Sequence, residues 1–375
     1  MKVKLGEYIQ EYSVRNKANE DIPVYSVTNT QGFCQDYFGK EVASKDKSTY
    51  KIVPRGYFAY NPSRINVGSV DWQRDEDQVI VSPLYNVFSV SPELNQQYLY
   101  YYLKSDFALH RIKAAATGSV RDNLKLEMLK NFPIRIPRVE EQEYIVQVLD
   151  KAKNIINLRR NELQKLDDLI KARFVEMFGE DIKQSNMTIA DIAEETTVGI
   201  ANSATHAYSE SGVVMLRNQN IRVNYLDDRD LIYIKQDFAE KYKNKALHEG
   251  DILVTRTGAN VGMACIVPKK YEGCQTFTTL ILRLRKDISI SPIFVCHYIN
   301  SPLGKSFVDE NKIGGGQPNF GAKQLSIMPI VVPSEEKQIA FDLFVNQVDK
   351  SKATVQKALD ETQLLFDSLM QQYFG

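Results

Sequence analysis

The feature that constrains this chain most is a duplication. At an offset of 196 residues, Gly118-Ser119-Val120-Arg121-Asp122-Asn123 returns as Gly314-Gly315-Gly316-Gln317-Pro318-Asn319. Phe132-Pro133-Ile134-Arg135-Ile136-Pro137 returns as Met328-Pro329-Ile330-Val331-Val332-Pro333. Leu129 maps to Leu325, Gln142 to Gln338, Tyr102 and Ser105 to Tyr298 and Ser301, and Phe178-Gly179 to Phe374-Gly375. A repeat of this length means two copies of one architecture rather than one large core.

The last forty residues of each copy read as one long helix. Ile145, Leu149, Ala152, Ile156, Arg159, Leu163, Leu166, Ile170, Arg173 and Met177 follow a four-three spacing. The second copy gives Phe341, Val345, Val348, Lys352, Val355, Leu359, Thr362, Phe366, Leu369 and Tyr373 at the matching positions. Seams of that period favour coiled-coil packing, and about 35 residues would span roughly 50 Å. Pro137 and Pro333 stand ahead of the helices, and Gly179 and Gly375 behind them, as start and stop signals. Where one seam carries a cation (Arg159, Arg173) the other carries Val355 and Leu369. Lys352 and Thr362 correspond to Ile156 and Leu166 in the same way. That complementarity predicts that the two helices pack on each other, antiparallel, rather than each on its own domain.

The upstream parts correspond more weakly. Gly56–Gly68 (GYFAYNPSRINVG) aligns with Gly250–Gly262 (GDILVTRTGANVG): a Gly turn, an apolar strand, a polar loop with an Arg, then Asn-Val-Gly. Strands are expected at Val79–Pro83 and Phe277–Leu284, and helices at Asn95–Ser105 and Pro292–Asn300. Phe33–Tyr50 and Asn224–Tyr242 do not align. A shared scaffold with divergent loops suits two binding modules with different targets. The expected class is α+β: two mixed α/β modules separated by two long antiparallel helices in a coiled coil, with an internal pseudo-twofold repeat. The segments are 1–137, 138–179 (helical), 180–333 and 334–375 (helical).

Composition narrows the function. The 47 Lys and Arg balance 47 Asp and Glu, so bulk charge announces no polyanion partner, and any basic face must be local. No run nears the ~18 apolar residues of a membrane span, and Met1–Gln10 is not expected to act as a signal peptide. Four scattered cysteines and four histidines show no metal or disulfide spacing, and a reducing cytoplasm is expected. Leu303-Gly304-Lys305-Ser306 ends like a phosphate loop, but Ile299 stands where its first glycine belongs. Asn61-Pro62-Ser63-Arg64 lacks the aromatic of an adenine methyltransferase motif, and Glu335-Glu336-Lys337 lies at a helix start, where acids suit the dipole. No nucleophile elbow or cofactor fingerprint is present. A non-catalytic binding protein without metal or cofactor is expected.

The doubled Gly…Asn…Leu…Pro-Ile-x-x-Pro…Gln block, the long helix closing in Phe-Gly, and Gly250–Gly262 together resemble the specificity subunits of type I restriction-modification systems. The resemblance covers essentially the whole chain. It implies two target recognition domains, each reading one half of a bipartite, asymmetric site in double-stranded DNA. It also implies two helical regions that set the gap and dock two methyltransferase subunits, with which a motor-nuclease subunit can associate. The assembled complex would then methylate adenine at N6 and cut DNA with ATP. Candidate readers are Arg or Asn on polar loops: Arg64 and Asn66; Arg217, Asn218 and Asn220; Arg256, Thr257 and Asn260; and Arg121, Gln317 and Asn319 on the Gly-rich turns. Arg grips guanine and Asn grips adenine by paired hydrogen bonds. The alternative for each is a surface residue that bonds its own turn. The rival functions are a specificity protein of another restriction system, a decoy that inhibits one, and a coiled-coil adaptor with no DNA role.

Overall fold

The computed structural model describes residues 2–35, 46–116, 123–201, 204–314, 316 and 318–375. The chain divides into two compact units, one of residues 1–160 with 356–375, the other of residues 161–355.

In the first unit, Lys2–Lys4 pairs antiparallel with Pro133–Arg135, Val3 opposite Ile134. An antiparallel sheet follows in the order Ile9–Glu11, Asn86–Val90, Phe58–Tyr60, Val70–Trp72. Helices α1 (Gln96–Lys104), α2 (Asp106–Ala116) and α3 (Leu126–Lys130) complete this layer. α1 is capped by the Asn95 side chain, which accepts the Tyr98 N–H. Its Tyr98, Leu99, Tyr102 and Leu103 are buried against Phe58, Tyr60 and Phe88 of the sheet. Two ribbons, Ser26–Thr28 with Gly32–Cys34 and Lys51–Pro54 with Gln78–Val81, enclose a second core of Val27, Val53, Val79 and Val81.

Helix α4 (Val139–Lys183) begins in this unit, where Ile145, Leu149 and Ile156 are buried. The segment 356–375 packs beside it. Leu359 is buried, Phe366 and Leu369 are half-buried, and Phe374 lies 5.1 Å from the Tyr98 ring and 6.2 Å from Tyr102.

The second unit repeats this plan. Met187–Thr188 pairs with Pro329–Ile330, and the sheet runs Ala193–Val198, Leu280–Leu284, Ile252–Val254, Ala264–Ile266. α5 (Ile189–Ile192) leads into this sheet, and α6 (Gln236–Lys241) lies in the divergent part. α7 (Pro292–Asn300), α8 (Pro302–Asn311) and α9 (Ala322–Ser326) are the counterparts of α1 to α3. Ser105 and Ser301, matched in sequence, each offer a hydroxyl to an N–H three residues on, starting α2 and α8. The divergent part holds a second sheet in the order Tyr208–Ser209, Ile232–Ile234, Val213–Arg217, Gln275–Phe277, its last pair parallel.

The residues of α4 in this unit contribute Ile170, Phe174, Phe178 and Ile182 to the core, with Leu163 and Leu166 half-buried. α10 (Glu335–Phe374) contributes Phe341, Val345, Val348 and Val355. Lys337 pairs with Asp181 (2.8 Å) and Lys352 with Asp167 (2.6 Å), so numbers rise on α10 as they fall on α4. In the first unit Arg160 reaches Gln363 (3.4 Å). The helices are therefore antiparallel within each unit, and the polar seam position Lys352 meets a carboxylate.

Two expectations need correction. α4 does not stop at Gly179; it runs on to Lys183, because Ile182 continues the buried face and outweighs one glycine. Phe277–Leu284 is not a single strand. Thr278 has φ +55°, a left-handed conformation that breaks the run and sends its two halves into different sheets.

Candidate nucleic-acid interface

In each unit a central strand runs out into the polar loop found in the sequence. In the second unit this loop is 255–262. Thr255 is fully buried; its hydroxyl accepts the Met263 N–H (2.8 Å) and bonds the Asn260 carbonyl, closing the loop on itself. Gly258 and Gly262 have φ of +88° and +83°. A Cβ at Gly262 would lie 2.7 Å from a Val308 methyl, so both backbone and space demand glycine there. Asn260 is left exposed at the tip.

Three segments distant in sequence converge on this loop. The Arg256 Nε donates to Asn319 Oδ1 (3.1 Å), and the Arg256 carbonyl accepts the Phe320 N–H (2.8 Å). Asn218 donates its amide to the Thr257 hydroxyl (3.2 Å), and the Thr279 hydroxyl lies 3.5 Å from Asn218 Oδ1. Thr279 is held in turn by the Thr276 hydroxyl (2.8 Å). Asn218, Arg256, Thr257 and Asn319 thus form one half-buried polar surface. Asn319 fixes Arg256 through Nε, and among the described residues its two Nη groups make no hydrogen bond.

The first unit builds the same frame with other side chains. Gly68 has φ +88°, left-handed like Gly262 at +83°. The Leu124 N–H donates to the Pro62 carbonyl (3.1 Å), which is the bond made by Phe320 to Arg256. Tyr60 anchors the same segment by donating to the Leu124 carbonyl (3.0 Å). Asn61 turns the loop by accepting the Ser63 N–H (3.1 Å) and hydroxyl (2.9 Å). Arg64 is exposed and Asn66 half-buried. Pro62 therefore stands where Arg256 stands, and Arg64 stands where Gly258 does. The two arginines occupy different places in a common loop.

Arg121 and Gln317 lie outside the described residues. Asn220 is buried, with its amide donating to the Asp227 (3.0 Å) and Arg229 (3.1 Å) carbonyls and its oxygen accepting the Arg217 N–H (3.0 Å). It bonds its own turn, the alternative weighed for a polar loop residue. Arg217 is half-buried and donates to the Asp230 carbonyl. Sequence reasoning missed Thr255, Thr276 and Thr279, the hydroxyls that orient the others. The alignment of Thr255 with Asn61, both turn-forming polar residues, was the one available signal.

One helix anchor is repeated in both units. Gln142 accepts the Asn95 N–H (2.8 Å) and donates to the Glu93 and Pro137 carbonyls (2.8 Å each). Gln338 accepts the Ser291 N–H (2.6 Å) and donates to the Ser289 (3.0 Å) and Pro333 (2.8 Å) carbonyls. Each glutamine is buried and pins the start of its long helix to the loop before α1 or α7.

Among the described residues, no cluster of three or more His, Cys, Asp or Glu could hold a metal ion, and no helix is long and apolar enough to cross a membrane. The four cysteines are free. What this geometry offers is a pair of rigid, unlike donor surfaces on a repeated frame.

That duplication is matched by a family model described as the type I restriction modification DNA specificity domain, over residues 2–168 and again over 183–362. The chain belongs to this family. It is 19% identical over 292 residues to the EcoKI specificity subunit of Escherichia coli K12, a match covering 73% of the chain and 63% of that relative. To the MjaVIII specificity subunit of Methanocaldococcus jannaschii it is 22% identical over 289 residues, 71% of the chain and 68% of the relative. The chain thus spans a little under two thirds of the length of the E. coli protein. In fold it is similar to a chain from a structure concerning assembly and conformational transition of a type I R-M system (TM-score 0.61, 18% identity, 100% of this chain and 97% of that one). It is similar also to the S subunit of a type I system from M. genitalium (TM-score 0.54, 14% identity, 100% and 96%). Family membership accounts for the two α+β units and the long helices that run out of them.

Proposed function

We propose that this chain is the DNA specificity subunit of a type I restriction-modification complex and has no catalytic activity of its own. In this reading residues 1–137 and 180–333 are the two target recognition domains, and 138–179 and 334–375 are the helical regions between them. Each recognition domain reads one half of a bipartite, asymmetric duplex site. The helical regions dock two methyltransferase subunits, and a motor-nuclease subunit joins them. The complex methylates adenine and cuts DNA; the chain works in the cytoplasm, where the duplex lies.

One observation carries the reading. The same loop, closed by the same left-handed glycine and the same backbone bond, recurs in both units with different side chains on it. A fixed frame with variable donors is what two readers of unlike sequences require. Arg256, with its Nε held by Asn319, suits a guanine edge; Asn218 and Asn260 suit adenine; Arg64 and Asn66 serve the first half-site. Thr257 acts on Asn218 rather than on a base.

The experiment is to assemble the chain with its methyltransferase subunits and map the modified adenines across a genome. A bipartite, unequal motif is expected. Arg256→Ala should relax one position of the second half-site by about 1–3 kcal/mol and leave the first half-site unaltered. Methylation that needs no such chain, or a motif with a single continuous core, refutes the proposal.

A further inference from the structure

In the first unit an open cleft lies between α1 and α4. Gln97 and Tyr100 line it from α1, Val146, Asp150, Lys153 and Asn154 from α4, and Trp72 and Arg74 from the strand end between them. The helix periods place these residues together: 97 and 100 lie one turn apart, and 146, 150, 153 and 154 share one face of α4. Three cations converge on a single ring. Lys153 lies 5.2 Å, Lys104 5.4 Å and Arg74 5.8 Å from the Tyr100 centroid. Arg74 also covers Trp72 at 4.5 Å.

Their counter-charges are unevenly shared. Asp71 is buried and grips Arg74 with both oxygens (2.9 and 3.2 Å). Asp150 accepts from Tyr101 (2.5 Å) and, at 3.5 Å, from Gln97. Lys104 donates to the Gly68 and Asn29 carbonyls. Among the described residues Lys153 makes no hydrogen bond or ion pair. Burial pushes its pKa down; Asp150 and Asp71 oppose that, and Arg74 adds to it. Burial likewise pushes Lys104 down to about 8, and Lys153 contributes. Mutually repelling cations in a partly desolvated cleft are relieved by an anion.

We infer that this cleft binds one phosphate of the DNA backbone, held by Lys153 with the Asn154 and Gln97 amides beside it. DNA is the favoured source because Lys104 ties the cleft to the carbonyl of Gly68, the closing residue of the loop that carries Arg64 and Asn66. The inference rests on the specificity reading and extends it: the loop reads bases, and the cleft fixes the register of the duplex.

Trp72 is the only tryptophan in the chain, so its emission reports this cleft alone. Two measurements test the site: the phosphate titration on the full-length chain by itself, where Trp72 is the sole tryptophan, and duplex binding on the chain assembled with its methyltransferase subunits. Titration with inorganic phosphate should change Trp72 emission in the wild type and in Lys153→Arg, but not in Lys153→Gln. In duplex binding across a salt series, Lys153→Gln should lower the slope of log K against log[salt] by about 0.9, the loss of one phosphate contact. The methylated sequence should stay the same. No phosphate response together with an unchanged slope overturns the site. A phosphate response with an unchanged slope overturns DNA as the source of the anion. A complex that methylates no specific sequence at all refutes the specificity reading instead, and leaves the phosphate titration to decide whether the cleft takes an anion.

Discussion

Gln142 and Gln338 offer the sharpest test of the claim that the units share one construction. Each side chain is nearly or fully buried (0% and 5% exposed) and satisfies one N–H and two carbonyls that precede a helix. Replacing glutamine by leucine keeps the volume but strands those three backbone groups. Each unsatisfied buried group costs about 1–3 kcal/mol, while the more apolar side chain returns about 1 kcal/mol. The net expectation is about 2–8 kcal/mol in either unit. For a unit of this size that is a fall in melting midpoint of at least about 4 °C. Trp72 emission follows the first unit, so Gln142→Leu should bring its transition to lower temperature by that amount. Gln338→Leu should do the same to the transition seen by circular dichroism in the second unit. Gln338→Glu adds a control. Its carboxylate still accepts the Ser291 N–H but repels two carbonyls, and protonation restores one donor, so part of the loss should return as pH falls through the carboxyl range. A shift below about 3 °C for either leucine variant would mean that these backbone groups find other partners, and the shared-anchor argument would be wrong.

Three further outcomes are expected. His297 is buried beside Phe341, and burial, with Lys352 contributing, holds its pKa down to about 4 against 6.5 when unfolded. The unfolded chain therefore binds the extra proton between those values, and the second unit should lose about 3 kcal/mol as pH drops from 7 to 4, a loss reduced in His297→Gln; denaturant titrations at both pH values check it. Phe374→Ala empties a site against Tyr98 and Tyr102 and should cost the first unit about 3–5 kcal/mol by thermal melt of Trp72 emission. Gly262→Ala should destabilise by more than Gly258→Ala, because both have positive φ but only the first would strike Val308; the two melting curves compared with wild type decide this.

Much of this frame was legible because duplication makes local signals corroborate each other. A lone Gln is uninformative, but Gln142 and Gln338 in register marked a structural position, and both prove to be buried anchors. Gly68 and Gly262 were marked in the same way. Lys352 stands on the four-three spacing of its helix, and its partner Asp167 lies on the other long helix. Helix ends were less legible: Gly179 is a weak local penalty, and the decisive residue was Ile182, three positions further on. The candidate surface was readable in pieces only. Asn218, Thr257 and Asn319 come from three distant segments, and nothing local says that they meet. Asn220 shows the same limit from the other side, since two residues along one turn, Asn218 and Asn220, differ in burial although the sequence treats them alike.

The first unit takes residues 356–375 from the far end of the chain, and Phe374 sits among its tyrosines. The second unit is a continuous stretch, 161–355. During synthesis at about 5–20 residues per second, domains fold as they emerge. Here the segment made first must wait some tens of seconds with Tyr98 and Tyr102 uncovered, while the segment made second can close at once. The half that leads in translation is the half completed last, and a chain cut short just after residue 355 would hold one finished unit and one unsealed core.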